Sequence, residues 1–395
     1  MSGEVYLDHA ATTVVRESVI EEMARVMRDT GNASSLHAAG RRARRELEQA
    51  RETIAEALGA HPVEVIFTSG ATEADNLAIK GGYWWRRNAD PALTAIAVTP
   101  VEHPAVVDAA QWLVEHEGAT VRWIEVDRHG AARLDVLREL LAGGDIAVAS
   151  AMWANNEVGT LSDIPAIARM CADAGVSLHV DAVQAIGRVE IDFASLGASS
   201  LALSAHKFGG PQGVGALIAT RQFTPMPTSH GGGQERKVRS GTLDVAGAVG
   251  MAVAIKEAVA ERADEALRLG ALRDRLVAEA TRLDGVQVNG HTSTSDPTLP
   301  GTVNLHIPGA DADAVLMLLD AEQIAVSTGS ACSAGVSEPS RVLLAMLDDD
   351  LRARQSIRVS MGRTTTARDV DRLLHALPDV IERARRATGY RADRG

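Results

Sequence analysis

Between residues 40 and 255 the apolar positions switch period repeatedly. In some segments they recur every three or four residues, the spacing of a helix with one buried face. These are 40–59 (GRRARRELEQARETIAEALG), 71–87 (ATEADNLAIKGGYWWRR), 104–118, 134–143 and 164–175. Other segments are short apolar runs: 64–69 (EVIFTS), 94–99 (TAIAVT), 120–126, 145–153, 176–181 (VSLHVD), 200–205 (SLALSA) and 215–220 (GALIAT). Strands spaced by helices of roughly 10–15 residues predict βαβ units. Apolar runs without alternation predict a mostly parallel sheet covered on both faces. The last two runs flank a glycine-rich loop.

Past about residue 250 the texture changes. A long helical stretch, 245–283, leads into apolar runs at 286–290, 302–307, 324–328 and 356–361. Helical patterns lie between them at 311–323 and 339–347, and another closes the chain. This reads as a smaller α+β domain. A single core stops growing near ~250–300 residues, so 395 residues imply two domains. The expected division is a large domain over 14–258 and a small one built from 1–13 and 259–395. The boundary falls inside the long helix, a shared element and not a flexible linker.

Composition narrows the function classes. Hydrophobic residues make up 46% and charged residues 23%, as in an ordinary globular chain. The net charge of −12 implies no broad basic surface, so nucleic-acid binding is not expected. No apolar run is long enough to span a bilayer. The stretch MSGEVYLDHAATT lacks a basic-then-apolar signal pattern. With two cysteines and no pairing pattern, a reducing compartment, the cytoplasm, is the expectation. There is no repeat and no low-complexity segment.

Those two cysteines differ in setting. Cys171 shares a helical face with Ile164, Ile167, Ala168 and Ala174 and reads as a small core hydrophobe. Cys332 lies in STGSACSAG, a polar run of small residues, where a reactive thiol and an incidental loop cysteine fit equally well. Lysine is scarce too: only Lys80, Lys207, Lys237 and Lys256 among 40 basic residues.

In open α/β sheets ligands bind beyond the carboxyl ends of the strands. The polar residues just after each apolar run are therefore candidates. After 64–69, Gly70, Ala71 and Thr72 open a helix whose free N–H groups suit a phosphate, or simply a capped helix end. His103 follows 94–99, and Asn155 and Asn156 follow 145–153; each is also an ordinary turn residue. Asp181 ends the run 176–181, with Gln184 three residues on. A carboxylate there is costly to bury unpaired and calls for a cationic partner: a metal, an arginine or a protonated ring nitrogen. The run 200–205 delivers Ser204, His206 and Lys207 into the turn GGPQGVG. Lys80 and Lys256 sit in helical patterns and read as solvated, and Lys237 sits in the charged run QERKVR. Only Lys207 lies at a strand mouth, where a desolvated amine can form a Schiff base. An Asp for a pyridinium nitrogen, a Lys for an aldehyde and a helix start for a phosphate together describe pyridoxal 5′-phosphate (PLP).

The chain resembles the PLP-dependent cysteine desulfurases of the NifS/IscS-like family, in the class V aminotransferase group. The resemblance runs through YLDHAATT, GNASSLH, SGATEADNLAIKG, NNEVGT, HVDAVQAIG, SAHKFGGPQGVGAL, GGGQERKVRSGT, STGSACSAG with EPS, and SIRVSMGR. It implies a PLP-dependent transferase fold of type I. It also implies roles. Lys207 would hold PLP as a Schiff base, Asp181 would pair with its ring nitrogen and Gln184 with its phenolate oxygen. His103 would stack on the ring and move protons. Ala71, Thr72, Ser204 and His206 would bind the phosphate, and Thr242 the phosphate of the other subunit's cofactor, which makes the protein a homodimer. Asn155 and Arg358 would orient the substrate carboxylate. Cys332 would take the sulfur of L-cysteine as a persulfide, leaving L-alanine. The expected acceptor is an iron–sulfur scaffold protein, with tRNA thiolation or another thio-cofactor pathway as further outlets. No resident metal is expected.

Two positions depart from the family pattern. Pro104 follows His103 where relatives often carry His or Lys, and Ala205 stands where Ser or Gly is common. The competing readings are a selenocysteine lyase, a small-molecule aminotransferase, which would not need Cys332, and a non-catalytic scaffold, which would need neither Lys207 nor Cys332. A NAD-dependent enzyme is a further option, but the chain lacks a G-x-G-x-x-G at a first βα turn.

Overall fold

The computed structural model describes residues 3–329, 332–333 and 336–389, with the backbone alone at 332–333 and 336–337. The chain opens with β1 (Val5–Tyr6), α1 (Glu17–Met27) and α2 (Ala38–Leu58). β2 (Val65–Thr68) leads into α3 (Ala71–Asn76), a π turn at Leu77–Gly81 and α4 (Gly82–Ala89). Then strands and helices alternate: β3 (Ala95–Val98), α5 (Pro104–Glu117), β4 (Thr120–Trp123), α6 (Leu134–Leu141), β5 (Ile146–Ser150), α7 (Ile164–Asp173), β6 (Ser177–Asp181) and the single turn α8 (Phe193–Leu196). β7 (Ser200–Ser204) and β8 (Gly215–Ala219) complete this part. α9 (Val245–Ala280) leads on to β9 (Gln287–Asn289), β10 (Thr302–His306), α10 (Ala312–Ala321), β11 (Ile324–Ala325), β12 (Cys332–Ser333) and β13 (Val336–Ser337). Last come α11 (Arg341–Leu347), α12 (Asp350–Arg354), β14 (Ser356–Ser360) and α13 (Ala367–Thr388).

The predicted α/β architecture is present. One sheet of seven strands runs β2-β8-β7-β6-β5-β3-β4. β4, β3, β5, β6 and β7 pair in parallel, while β8 is antiparallel to both of its neighbours. β3, β5, β6, β7 and β8 are buried at every position, which is why their sequences do not alternate. β4 is the edge and is largely exposed. A separate three-stranded antiparallel sheet, β14-β10-β9, serves the C-terminal part.

α9 joins two cores. Its buried residues from Ala246 to Ala258 pack with the helices and strands of the large sheet. Those from Leu269 to Ala280 pack with Val5, Leu7, β10, β14 and α13. The chain's start thus belongs to the C-terminal core, where β1 lies parallel to β11.

Three expectations are corrected. The single helix expected over 71–87 is interrupted by the π turn. There the helix runs against the 223–226 segment: a β-carbon on Gly81 would sit 2.3 Å from the Met226 carbonyl oxygen, and one on Gly82 would sit 2.8 Å from Phe223 Cζ. The strand expected over 324–328 stops at Ala325, because Ser327 turns to bridge Arg358. Lys80 is not simply solvated. Its Nζ lies 3.7 Å from the centroid of the Trp112 ring and 5.9 Å from that of Trp84, a cation–π contact. Cys171 is fully buried in the large core, as expected.

A buried ion pair ties α2 to the segment after β8. Arg51 donates to Glu235 through both terminal nitrogens, at 2.8 and 2.7 Å, and Glu235 also accepts from the N–H of Phe67 in β2 at 3.0 Å. Glu235 is 2% exposed. Removing Glu235 leaves buried Arg51 with only the half-exposed Glu48, at 3.3 Å, as a charged partner, at a cost of up to about 3–5 kcal/mol. Glu235→Ala is therefore expected to lower the chemical-unfolding midpoint by an amount equivalent to that loss. A shift worth under about 1 kcal/mol would show that the pair carries no such weight.

Candidate active site

The strand ends place the chemistry. β2, β3, β5, β6 and β7 each lead into a loop at the same edge of the sheet, and those loops wall a cavity of about 950 Å3. Its lining includes Ala71, Thr72, His103, Asp181, Gln184, Ser204, His206, Lys207 and Arg358. These are candidates read from the sequence, spread over almost 290 residues of chain and brought together by the parallel topology. Arg358 arrives from β14 and Ala10–Thr12 from the chain's start, so the C-terminal core closes the cavity that the large sheet opens.

Lys207 ends a 3-10 turn directly after β7. Its Nζ donates to the carbonyl oxygens of Ala10 and Ala11 at 2.6 and 2.9 Å. Burial, helped by Arg358 and Arg188, lowers its pKa to about 8. Neighbouring His206 is lowered to about 4, by burial and then by Lys207. It is neutral at pH 7, with Nδ1 3.1 Å from the hydroxyl of Thr12.

Asp181 is buried at the end of β6, and burial raises its pKa. His103 and Lys207 oppose that rise. Among the described residues its hydrogen bond comes from the N–H of Val183, at 2.9 Å. Gln184 donates to the Ala10 carbonyl oxygen at 2.8 Å and accepts from Arg188 at 2.5 Å. His103 caps α5: its Nδ1 accepts from the N–H of Ala105 at 3.1 Å. Pro104 occupies the first helical position, where its missing N–H costs nothing.

Arg358 is 4% exposed. It donates to Asp8 Oδ1 at 2.6 Å and to the Asn156 carbonyl oxygen at 3.1 Å. Its Nε is buried without a partner among the described residues, and each terminal nitrogen carries a second N–H that can serve a ligand.

Two candidates do not line the cavity. Asn155 is buried and its amide is committed to its own loop. It donates to the Val101 carbonyl oxygen at 3.2 Å and accepts from the N–H groups of Glu157 and Val158 at 2.9 and 3.0 Å. Its neighbours Asn156 and Glu157 face the cavity instead. Thr242 is exposed and lies away from this cavity. The side chain of Cys332 lies outside the described residues; its backbone pairs with Ser337 in the β12–β13 ladder. On either side of it in the chain, Ser327 and Gly329 before and Glu338 and Pro339 after line the cavity.

Some lining residues were not singled out from the sequence. Glu102 lies beside His103 and would have emerged from the same strand-end rule. Its Oε1 accepts from Ser150 at 2.9 Å, and Oε2 is buried without a partner among the described residues. Asp75 contacts Nε2 of His179 at 3.0 Å beneath the floor of the cavity. Burial first, then neighbouring carboxyls, raise both acids well above the usual carboxylate range. Asp8 carries no local signal at all; it is recruited by Arg358 from 350 residues away.

The cavity meets the demands of PLP. It offers an amine with a depressed pKa and a buried carboxyl that lacks a bonded cation among the described residues. It also offers a helix start at which Gly70 and Gly215 touch: a β-carbon on Gly215 would lie 2.7 Å from Gly70 Cα. Lys207, Asp181 and the Gly70–Thr72 turn would hold the cofactor's aldehyde, ring nitrogen and phosphate respectively.

Comparison with known proteins agrees with this geometry. The model of the aminotransferase class-V family matches residues 5–373. An IscS-like cysteine desulfurase of Mycobacterium tuberculosis is 52% identical over 385 residues, which is 97% of each chain. The cysteine desulfurase NifS of Azotobacter vinelandii is 38% identical over 100% of this chain and 96% of its own. Among solved structures, a NifS-like protein superposes with a TM-score of 0.86 at 35% identity, covering 96% of this chain and 98% of its own. A NifS-like protein from Rickettsia africae gives a TM-score of 0.85 at 31% identity, covering 96% and 99%. With that family model, those relatives and a cavity suited to PLP, the chain belongs to the class-V aminotransferases, among the NifS/IscS-like cysteine desulfurases.

Proposed function

We propose that this protein is a PLP-dependent cysteine desulfurase that turns L-cysteine into L-alanine and carries the sulfur away on Cys332. The observation that carries the reading is one cavity lined by Lys207, Asp181, Arg358 and both flanks of the segment bearing Cys332. PLP supplies an electron sink for charge developing on the substrate carbons.

The chain's own residues do the rest. Arg358, held in place by Asp8, receives the substrate carboxylate. Lys207 Nζ, with a pKa of about 8, takes and returns a proton at the substrate Cα. Asp181 would supply the negative charge that a ring N–H requires, and Gln184 and His103 would hold the ring from the cavity wall. Ala71, Thr72, Ser204 and His206 would bind the phosphate. The Cys332 sulfur attacks the substrate sulfur: the S–S bond forms as the Cβ–S bond breaks, and the electron pair stays with the carbon fragment. A proton completes L-alanine, and Cys332 is left as a persulfide. Asn155 acts here through its loop, by presenting Asn156 and Glu157.

The same reading makes the protein a homodimer, with Thr242 reaching the other subunit's cofactor. Support comes from the exposure of Thr242 away from its own cavity, and from Leu36, 83% exposed in GNASSLH. It divides the chain into domains at residue 258, where the buried residues of α9 pass from one core towards the other. It assigns the sulfur to an iron–sulfur scaffold, with tRNA thiolation or another thio-cofactor as further outlets, in the cytoplasm. Among the described residues no helix is long and apolar enough to cross a membrane.

Three outcomes test this reading. Lys207 must be neutral to accept a proton, so its reactivity rises as pH passes about 8. Trace acetic anhydride on the cofactor-free protein should label it half-maximally near there; a midpoint at ~10.4, the ordinary lysine value, removes the argument for its activation. Arg358→Ala loses a charge-assisted bond worth roughly 1.5–3 kcal/mol, about one to two decades in kcat/KM for L-cysteine. Unchanged kinetics would take Arg358 out of the site. The two cysteines should behave oppositely. Burial raises the Cys171 thiol to about 12, so it stays protonated and inert, and Cys171→Ser keeps nearly full alanine release. Cys332→Ser should release none by this route. Alanine at the parental rate from that variant, or an added sulfur mapped to Cys171 by mass spectrometry, overturns the mechanism.

A further inference from the structure

We propose that Glu157 is a positioning residue for sulfur transfer: it ties down the C-terminal flank of the segment that carries Cys332, lies close against its N-terminal flank, and thereby sets how that thiol meets the cavity. The inference rests on the reading of Cys332 as persulfide carrier.

Glu157 sits on the loop after β5 and is 6% exposed. Its own backbone is held. The N–H donates to Asn155 Oδ1 at 2.9 Å, and the carbonyl oxygen accepts from Asn304 Nδ2 of β10 at 3.4 Å. Its carboxylate is therefore a fixed post on the large-sheet side of the cavity. Burial raises its pKa, while Ser340 and Arg358 oppose the rise.

The segment's C-terminal flank is tied to that post through one hydroxyl. Ser340 Oγ donates to Glu157 Oε2 at 2.5 Å and accepts from the N–H of Leu343 at 3.1 Å, which caps α11. Behind this bond Val342, Leu343 and Met346 pack against Val101, Met152 and Val158. α11 thus starts where Glu157 dictates.

The N-terminal flank meets the same oxygen. Gly329 has φ +82°, and a β-carbon there would lie 2.9 Å from Glu157 Oε2. Only a residue without a side chain passes there. Just before it, Ser327 and Arg358 exchange backbone hydrogen bonds of 3.1 and 2.6 Å. One carboxylate therefore bears on the chain at Gly329 and at Ser340, with Cys332 between them.

The test uses the holoenzyme with Glu157→Ala and Glu157→Gln. Three rates are compared: alkylation of Cys332 by iodoacetamide without substrate, exchange of the α-proton of L-alanine with D2O, and single-turnover persulfide formation from L-cysteine. Cys171 is buried, so alkylation reports on Cys332. Exchange uses Lys207 and Arg358 but not Cys332. In Glu157→Ala, alkylation should change by about threefold or more and persulfide formation should slow by about tenfold or more, with exchange within about twofold. Glu157→Gln keeps an acceptor oxygen for Ser340 and should recover persulfide formation to within about threefold of the parent. Ser340→Ala, a milder change, should give the same split if Glu157→Ala does not fold. Parental alkylation and persulfide rates in the alanine variants overturn the proposal, as does a common loss in all three rates. Cys332→Ser separates the two claims. If it releases no alanine while Glu157→Ala behaves as parent, only the role of Glu157 falls. If it releases alanine at the parental rate, the persulfide reading falls and this inference with it.

Discussion

The guanidinium of Arg358 joins three distant parts of the chain. It leaves β14 of the C-terminal core, pairs with Asp8 near the start of the chain and donates to the carbonyl of Asn156 on a loop of the large sheet. Beside that contact, the Ala10 and Ala11 carbonyls take the amine of Lys207. α9 already ties the C-terminal core to the large sheet, and this junction closes that core over the strand ends that line the cavity. The pairing is worth something because it is dry. A charge pair in contact with water contributes little, whereas one at 5% and 21% side-chain exposure is strongly directional.

The same dryness governs the acids. Asp75, Glu102 and Asp181 line one cavity, all buried; Asp181 raises the cost of ionising Asp75 and Glu102, and Glu102 adds to that of Asp75. Closely spaced carboxyls do not all carry charge. His103 and Lys207 favour the charge on Asp181, while burial and neighbouring carboxyls disfavour it on Asp75 and Glu102. Asp181 faces the cavity where a protonated ring can meet it. Asp75 is backed by His179, whose own pKa burial lowers to about 3. The arrangement reserves the negative charge for the residue that can use it.

Sulfur chemistry needs a thiol that reaches in and then leaves with its cargo. The two cysteines sit at opposite ends of that requirement. Cys171 is locked in a helix face with its proton held by burial. Cys332 lies on a segment of small residues whose flanks, at Gly329 and Ser340, bear on a single carboxylate. The anchors at Gly329 and Ser340 are thus separated along the chain from the thiol they flank.

Local pattern alone determined much of this protein. The unbroken apolar runs announced buried strands, because residues covered on both faces have no reason to alternate. Lys207 and Asp181 stood out because a charge at a strand mouth must have a use. Cys171 could be assigned from its helical face. What the sequence did not disclose depends on which surfaces meet. The π turn at Leu77–Gly81 lies where the helix passes close to Phe223 and Met226. Lys80 found Trp112 across a helix packing. Asn155 was read as a ligand, yet its amide turned inward to close its own loop. Asp8 with Arg358, and Glu157 with Ser340, are pairs separated by 350 and 183 residues. Periodicity reports how deeply a residue is buried. The partner of a buried polar group is chosen by long-range geometry, and only the tertiary structure supplies that.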